Sequence, residues 1–427
     1  MSLDFEDVAR NAKLKAQYNN SEPISFAELE HKMKEWFLIK DHGIIKVLVG
    51  TIIANRLPGD PVWVFLVAPS GGLKSELIQG LNLVPEVYPL SKFTPQTLIS
   101  GHGKDQSLLL RLTRDGKTVL AMKDFTTILQ MDYKARNDIL AQLREVYDGS
   151  FKKAFGMKGD GNSEIEWNGK LGFLAGVTPV VDITQGIYAS MGERFLQYRI
   201  MQPPRRDTAK KALQNSTKIR QIREDLKDAL AGFIKSVTIP ESLPEISEED
   251  KELIIEVANF ATLARSSVMR ESYHTRAIEY KPESEMPTRF INQINLLAYS
   301  FMIINDGPLS DLDRIILQKI SLDSIPQFRR NIVELLVSRK EAMTSSKIAV
   351  ALGYPTNTVR RVLEDLNMLG VLERISGKDY ENQYLNTGEP TLSEEDDNRI
   401  DKKADFWSLK EEYVGLLNKY SQIIGQN

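Results

Sequence analysis

The stretch Val62 to Gly80, VWVFLVAPSGGLKSELIQG, restricts the fold more than any other in the 427-residue chain. Val62, Val64, Phe65, Leu66 and Val67 form a short apolar run, the pattern of a strand covered on both faces. Ala68-Pro69-Ser70-Gly71-Gly72 cannot continue that strand, and Leu73-Lys74-Ser75-Glu76-Leu77-Ile78 begins a helical pattern. A small-residue loop running into a helix start leaves backbone N–H groups free to face one anion. Lys74 adds a full positive charge there, and Ser75 a hydroxyl suited to a magnesium ion. The phosphate-loop pattern G-x-x-x-x-G-K-[ST] would place glycines at Ala68 and Leu73, whereas here they stand at Gly71 and Gly72. The plainer alternative is an ordinary strand-turn-helix connection with a surface lysine.

A nucleotide site needs a carboxylate next. The apolar run Thr118 to Met122 ends in Lys123-Asp124, which would bring Asp124 out at the carboxyl edge of a sheet, where it can hold a magnesium shell. The alternative is that Asp124 caps the following helix. The residue before it is Lys123 rather than an acid. Glu145, on an expected helix from Ala135 to Tyr147, and Glu76 are the candidates to orient a water. A further core strand, Lys170 to Val177, ends in Thr178-Pro179, and Thr178 would sense the terminal phosphate if that strand neighbours the one ending at Asp124. Arg194, in Gly192-Glu193-Arg194-Phe195, opens a short strand-like segment. It is placed to act across a subunit boundary, or else forms a surface salt bridge. Arg289 opens the helix from Phe290 to Ile304 and either folds back on the nucleotide or faces water.

Two stretches suggest contact with nucleic acid. Ser150 to Phe173 has a hairpin's grammar, with Lys152, Lys153 and Lys158 on or near it. These lysines either reach DNA or only solubilise the hairpin. Near the carboxyl end, helices are expected over Pro326 to Val337, Thr344 to Gly353 and Asn357 to Leu369. Strands Val371–Ile375 and Gln383–Leu385 would then form around Gly377-Lys378, a winged helix-turn-helix pattern. Thr356, Asn357, Thr358, Arg360 and Arg361 occupy the start and outer face of its third helix, with Arg374 and Lys378 on the wing. Winged helices also serve as protein-binding modules, so that alternative stays open.

The overall balance frames these readings. A net charge of −3 restricts any nucleic-acid contact to local patches. With no cysteine, disulfides, thiolate catalysis and zinc-thiolate sites are excluded. The four histidines are scattered, which disfavours a metal-centred hydrolase. No apolar run reaches the ~20 residues that span a bilayer, so a cytoplasmic protein without membrane contact is expected. Residues 1 to about 24 read as a loose polar arm, 387–404 as an acidic linker, and Asp405 to Ile424 as a final amphipathic helix.

In this order the parts resemble the AAA+ ATPases of phages and other mobile genetic elements, distantly similar to the minichromosome-maintenance helicases. APSGGLKS looks like the family's Walker A, VLAMKD like Walker B, AGVTP like sensor 1, GERF like the arginine-finger segment and PTRFINQINLLA like the sensor 2 helix. The resemblance implies an α/β fold: an amino-terminal arm and helix (1–39), a P-loop core with a parallel sheet (40–205), a helical lid (206–325), a winged helix (326–386), the linker, and a helix over 405–427. It implies ATP and Mg2+ as cofactors. Ser70 to Glu76 and Arg289 would hold the nucleotide, Ser75 and Asp124 the metal, and Asp124, Glu145, Thr178 and Arg194 would serve catalysis. DNA is the implied partner, with a hexameric ring of the chain itself and with replication proteins. The activity implied is that of a helicase or translocase. The alternative is an ATP-gated DNA-binding regulator or helicase loader with slow turnover, which Lys123 beside Asp124 favours. A scaffold with an inert phosphate loop is a third reading.

Overall fold

The computed structural model describes residues 12–98, 107–155, 163–183, 193–271, 276–381 and 404–424. The chain forms two compact units. One comprises residues 1–254 and 288–320, the other 255–287 and 321–427.

The first unit is α/β. Helix α1 covers residues 12–20, where the sequence suggested a loose arm. Helix α2 (Phe26–Trp36) starts at a capping box in which Ser25 and Glu28 satisfy each other's backbone amides. The apolar helix α3 (Ile44–Arg56) is almost wholly buried. Strand β1 (Trp63–Val67) follows, then α4 (Lys74–Gly80), β2 (Val87–Leu90), α5 (Leu108–Arg114), β3 (Val119–Met122), α6 (Thr126–Leu129) and α7 (Tyr133–Tyr147). An antiparallel hairpin, β4 (Ser150–Phe155) with β5 (Ser163–Asn168), precedes β6 (Gly172–Val177) and β7 (Leu196–Arg199). Helices α8 (Arg205–Asn215) and α9 (Ile219–Ser236) come next, and later α11 (Thr288–Asn305); the boundary with the second unit falls inside α10 (Glu248–Arg265), after Ile254, and inside α12 (Asp311–Asp323), after Ile320.

The five-stranded sheet has the order β2-β3-β6-β1-β7. Every pair in it is parallel, with Trp63 opposite Phe173, Val119 opposite Gly172, Val87 opposite Val119 and Val64 opposite Leu196. The unbroken apolar run of β1 is explained by its central position, since both of its faces are covered. On one face Trp63, Phe65, Phe125, Phe173 and Phe195 form an aromatic core, with the Phe65 and Phe195 rings stacked 3.8 Å apart. Because all five strands run the same way, their carboxyl ends share one edge of the sheet. The loop after β1, Asp124 after β3 and Thr178 after β6 therefore emerge together.

Residues 206–325 divide between the two units. Helix α11 belongs to the first unit because it is anchored there: Phe290, Ile294, Leu297 and Phe301 are buried, and Gln293 accepts a 2.9 Å hydrogen bond from the Trp63 amide.

The second unit contains α13 (Gln327–Arg339), β8 (Met343–Thr344), α14 (Ser345–Leu352), α15 (Thr356–Met368), β9 (Leu372–Ser376), β10 (Asp405–Leu409) and α16 (Glu411–Ile424). Gly353, at φ +70°, ends α14 in a left-handed cap before Tyr354-Pro355 turns the chain into α15. The small antiparallel sheet has the order β8-β10-β9. The described residues depart from expectation at Gly377-Lys378 and at residues 405–409. Gly377-Lys378 is not a hairpin tip: residues 377–381 are helical, because Ser376 Oγ accepts from the Asp379 amide and donates to its carboxylate at 2.5 Å. The expected strand Gln383–Leu385 lies outside the described residues; among those described, β9 pairs with Asp405–Leu409, where the sequence suggested a helix. Phe406 and Trp407 are bulky aromatics that fit a pleated surface, and the free edges of β8 and β9 give them a ladder to complete. The helix begins only at Glu411. The expected linker over 387–404 lies, except for residue 404, outside the described residues.

Candidate nucleotide site

The loop between β1 and α4 is shaped by its own short-range bonds. The Gly72 amide donates to Pro69 O (3.0 Å) and the Lys74 amide to Gly72 O (2.9 Å). Among the described residues, the amides of Gly71, Leu73 and Ser75 have no hydrogen-bond partner. Gly71 has φ +80° and Leu73 φ +69°. Leu73 occupies the position of the pattern's second glycine, and it adopts the left-handed backbone that a glycine takes without strain. Gly72 is required for another reason: a Cβ there would lie 2.8 Å from Ala68 Cβ and 2.9 Å from Pro69 O.

Lys74 is buried at 5 % exposure, and its amino group donates to Pro69 O at 3.1 Å. Burial pushes its pKa below the ordinary lysine value, and the nearby Asp124 charge opposes that shift. The lysine stem lies over β6 at a point where only glycine fits. A Cβ on Gly176 would sit 2.4 Å from Lys123 O and 3.3 Å from Lys74 Cδ. Asp124 is exposed, and its Oδ1 accepts from the Thr126 amide at 2.9 Å, the capping role of the plainer reading. Its other oxygen has no partner among the described residues. Thr178 joins the same corner, where its amide donates to Thr126 Oγ1 at 3.0 Å and the two hydroxyls lie 3.3 Å apart.

A cavity of about 380 Å3 opens from this loop. Gly71 to Glu76 form one end; Phe37 to Asp41, Ile200 to Pro203 and the inner side of α8 form the rest. Asp41, itself buried, ties the wall together by accepting from the Gly43 amide, the Met201 amide and the Tyr198 hydroxyl. This wall was not visible as a site in the sequence. Residues 37–41 and 200–203 carry no motif, and only the β1–β7 pairing and the Asp41 bonds bring them to the loop.

A hydroxyl and a carboxylate at Ser75 and Asp124 are hard oxygen donors. They suit Mg2+, which is commonly held by one or two carboxylates plus phosphate and water. Among the described residues no group of three or more His, Asp or Glu could hold a metal ion alone. Any such ion would therefore depend on the ligand's oxygens.

The remaining candidates lie elsewhere. Glu76 is paired with Arg223 through two bonds of 2.8 and 2.6 Å. Glu145 is exposed on the last turn of α7, two residues before Tyr147, which packs edge-on to Trp63 at the amino end of β1. It is thus at the wrong edge of the sheet to serve Asp124. Arg194 sits at that same amino edge, with two 3.0 Å bonds to Asp148 and its guanidinium 5.4 Å from the Tyr147 ring centre. The salt bridge of the plainer reading is therefore present. Burial lowers the pKa of Arg194, opposed first by its bond to Asp148. Arg289 is close enough for its charge to act on both Tyr147 and Arg194, and its Nη1 is buried without a partner. It does not fold back on the P-loop of its own chain. The five residues of β1 alone separate the two edges by about 16 Å. Gly192 lies outside the described residues.

Of the expected DNA contacts, Lys152 and Lys153 are exposed on β4, where Lys152 lies opposite Glu166. Lys158 lies outside the described residues. On α15, Asn357, Thr358, Arg360 and Arg361 are exposed and Thr356 is half-buried. Further along α15, on the same side as Asn357 and Arg361, Arg270 reaches Asp365 at 2.8 Å, Glu364 at 3.0 Å and Arg361 O at 2.8 Å. Arg374 is committed to Asp405 at 2.8 Å, whereas Lys378 is exposed on the helical turn after β9.

No protein-family model matches the chain, and no curated protein matches it. Among the described residues no helix is long and apolar enough to cross a membrane.

Proposed function

We propose that the protein is a Mg2+-dependent ATPase of AAA+ type that works on DNA as a helicase or translocase. The observation that carries this reading is the corner at the carboxyl edge of the sheet. Three unpartnered amides, a desolvated Lys74 aimed back at its own loop, Asp124 and Thr178 converge beside a cavity. A buried ammonium whose pKa is pulled down gains from a phosphate that restores its charge. The amides of Gly71, Leu73 and Ser75 would cradle phosphate oxygens. Ser75 and Asp124 would hold Mg2+, which supplies charge neutralisation at those oxygens.

In this reading Arg194 and Arg289 act on a neighbouring copy's nucleotide rather than on their own. The buried, unpartnered Nη1 of Arg289 supports a role that its own chain does not complete. A ring of copies, acting in replication of a phage or other mobile element, would place one copy's amino edge against the next copy's cavity. The helices α13 to α15 and the three-stranded sheet of the second unit support reading it as a winged helix. In that reading it offers Asn357, Thr358, Arg360 and Arg361 to DNA, and the hairpin of the first unit separately offers Lys152 and Lys153.

The test is ATP turnover at several protein concentrations, with and without DNA. Turnover per chain should rise with concentration and with DNA, and Lys74→Ala should remove it. Intact DNA-stimulated turnover in Lys74→Ala would overturn the proposal. Among the described residues no glutamate is available at the corner, with Glu76 bonded to Arg223 and Glu145 at the far edge, which favours a second reading: an ATP-gated regulator or helicase loader. Tight ATP binding with negligible turnover under every condition selects that one.

A further inference from the structure

The cavity's far end is covered by α8, and α8 buries none of its own side chains. An amphipathic helix normally holds its place by an apolar face. Here two polar side chains do so. Lys211 Nζ donates to Glu35 O at 2.5 Å, and Asn215 Nδ2 donates to Trp36 O at 2.6 Å. Glu35 and Trp36 end α2, where backbone carbonyls lack helical partners, so both bonds satisfy groups that would otherwise need water. Thr208, Lys211, Ala212 and Asn215 then line the cavity.

The Asn215 bond has a chemical consequence. An amide carries two donors on nitrogen and an acceptor on oxygen, and only the network decides which end is which. Trp36 O needs a donor, so the nitrogen is assigned to it. The amide oxygen remains an acceptor with no partner among the described residues. The same cavity is lined by the apolar side chains of Phe37, Ile39, Ile200, Pro203 and Ile219, among polar ones. Apolar side chains suit the faces of a heterocycle, and a fixed acceptor in the same wall selects one that presents an N–H donor.

Resting on the nucleotide reading above, we infer that Asn215 reads the 6-amino group of adenine and so sets the site's preference for adenine over 6-oxopurine nucleotides. Adenine pairs a 6-amino donor with a ring-nitrogen acceptor, the complement of an amide's oxygen and its second N–H. A 6-oxopurine would set its carbonyl against the amide oxygen, acceptor against acceptor. The site therefore disfavours guanine and hypoxanthine by leaving a polar group unpaired rather than by size. Asn215 acts on the bound base and not on the transferring phosphate.

A two-by-two cycle tests this with the full chain. The ligands are ATP and purine riboside triphosphate, which lacks the 6-amino group. The proteins are the unmodified chain and Asn215→Ala, and the readout is Kd by titration calorimetry with Mg2+. In the unmodified chain the amino group should be worth about three- to tenfold in affinity, the scale of one neutral hydrogen bond. In Asn215→Ala the two ligands should bind equally. A loosened α8 alone would weaken both ligands by the same factor and leave the ratio untouched, because the cycle isolates the pairwise contact. An unchanged ratio in Asn215→Ala overturns the assignment while leaving the nucleotide reading intact. Binding of neither ligand to the unmodified chain overturns both. Retained binding of purine riboside triphosphate by the variant shows that it is folded.

Discussion

The two edges of the parallel sheet are built on opposite principles. Among the described residues the carboxyl edge leaves groups without protein partners: the amides of Gly71, Leu73 and Ser75 and one oxygen of Asp124, beside a buried Lys74 whose hydrogen bond goes to a loop carbonyl. The amino edge compensates most of its charges locally. Arg194 is bonded to Asp148, Asn292 donates to Asp60 at 2.8 Å, and Lys170 donates to Leu57 O at 2.7 Å. Arg289 Nη1 is its exception. In the proposed reading the carboxyl edge receives an anion, and the amino edge presents braced cations. One chain carries both, yet about 16 Å of strand keeps them from meeting within it.

The largest effect should come from testing whether the two edges meet between copies. Arg194→Ala should lower ATP turnover by about 10³-fold, the scale of an arginine acting on a transferring phosphoryl, with little change in ATP affinity. Lys74→Ala should lose binding itself. If the site is shared, mixing the two inactive variants restores turnover, because some interfaces then pair an intact loop with an intact arginine. No recovery on mixing, together with unchanged turnover in Arg194→Ala, reduces the Arg194–Asp148 pair to a structural salt bridge.

A smaller effect concerns the loop alone. Leu73 holds a left-handed backbone at φ +69°. At such a position Gly should be more stable than Ala by about 1 kcal/mol, the reverse of the order in a helix. Urea denaturation of Leu73→Gly and Leu73→Ala reads that difference directly. Equal stability, or Ala above Gly, would mean that Leu73 bears no strain and that the loop relaxes without ligand.

How far the sequence showed these edges follows from what each depends on. The parallel α/β core was legible, because the apolar runs at Val62–Val67, Val119–Met122 and Gly172–Val177 carry their burial in their own composition. The proximity of Thr178 to Asp124 followed from assuming adjacent strands, and β3 and β6 are adjacent. The cavity wall was not legible, since Phe37 to Asp41 contribute through one buried aspartate and its two long-range bonds, from Tyr198 and Met201. The places of Glu145 and Arg289 were missed because helix direction across a sheet sets which edge a residue reaches, and periodicity does not encode direction. β10 was misread as helix because Phe406, Trp407 and Leu409 continue a helical spacing toward Tyr413. Its strand character comes from β8 and β9, which supply partners from 29 or more residues away in sequence.

The smallest effect tests the compensation at the amino edge through pH. Lys170 lies in the loop before β6 and donates to Leu57 O, just past the end of α3. Burial pulls its pKa down to about 8, and the Asp60 charge only partly resists. In the unfolded chain a lysine holds its proton to about pH 10.4. Between those values the unfolded state binds more protons than the folded one, so folding stability should rise with pH across that window. Below pH 8 both states are protonated, and the cost of burying the charge is fully present. Lys74 and Lys117 are shifted the same way by burial, so the overall slope is not specific to Lys170. The slope lost on Lys170→Met is. Denaturation at pH 7.5 and 9.5 should therefore show a smaller gain in the variant than in the unmodified chain. An identical gain would mean that the carbonyl at Leu57 holds Lys170 charged in the fold, and that the amino edge satisfies its cations completely.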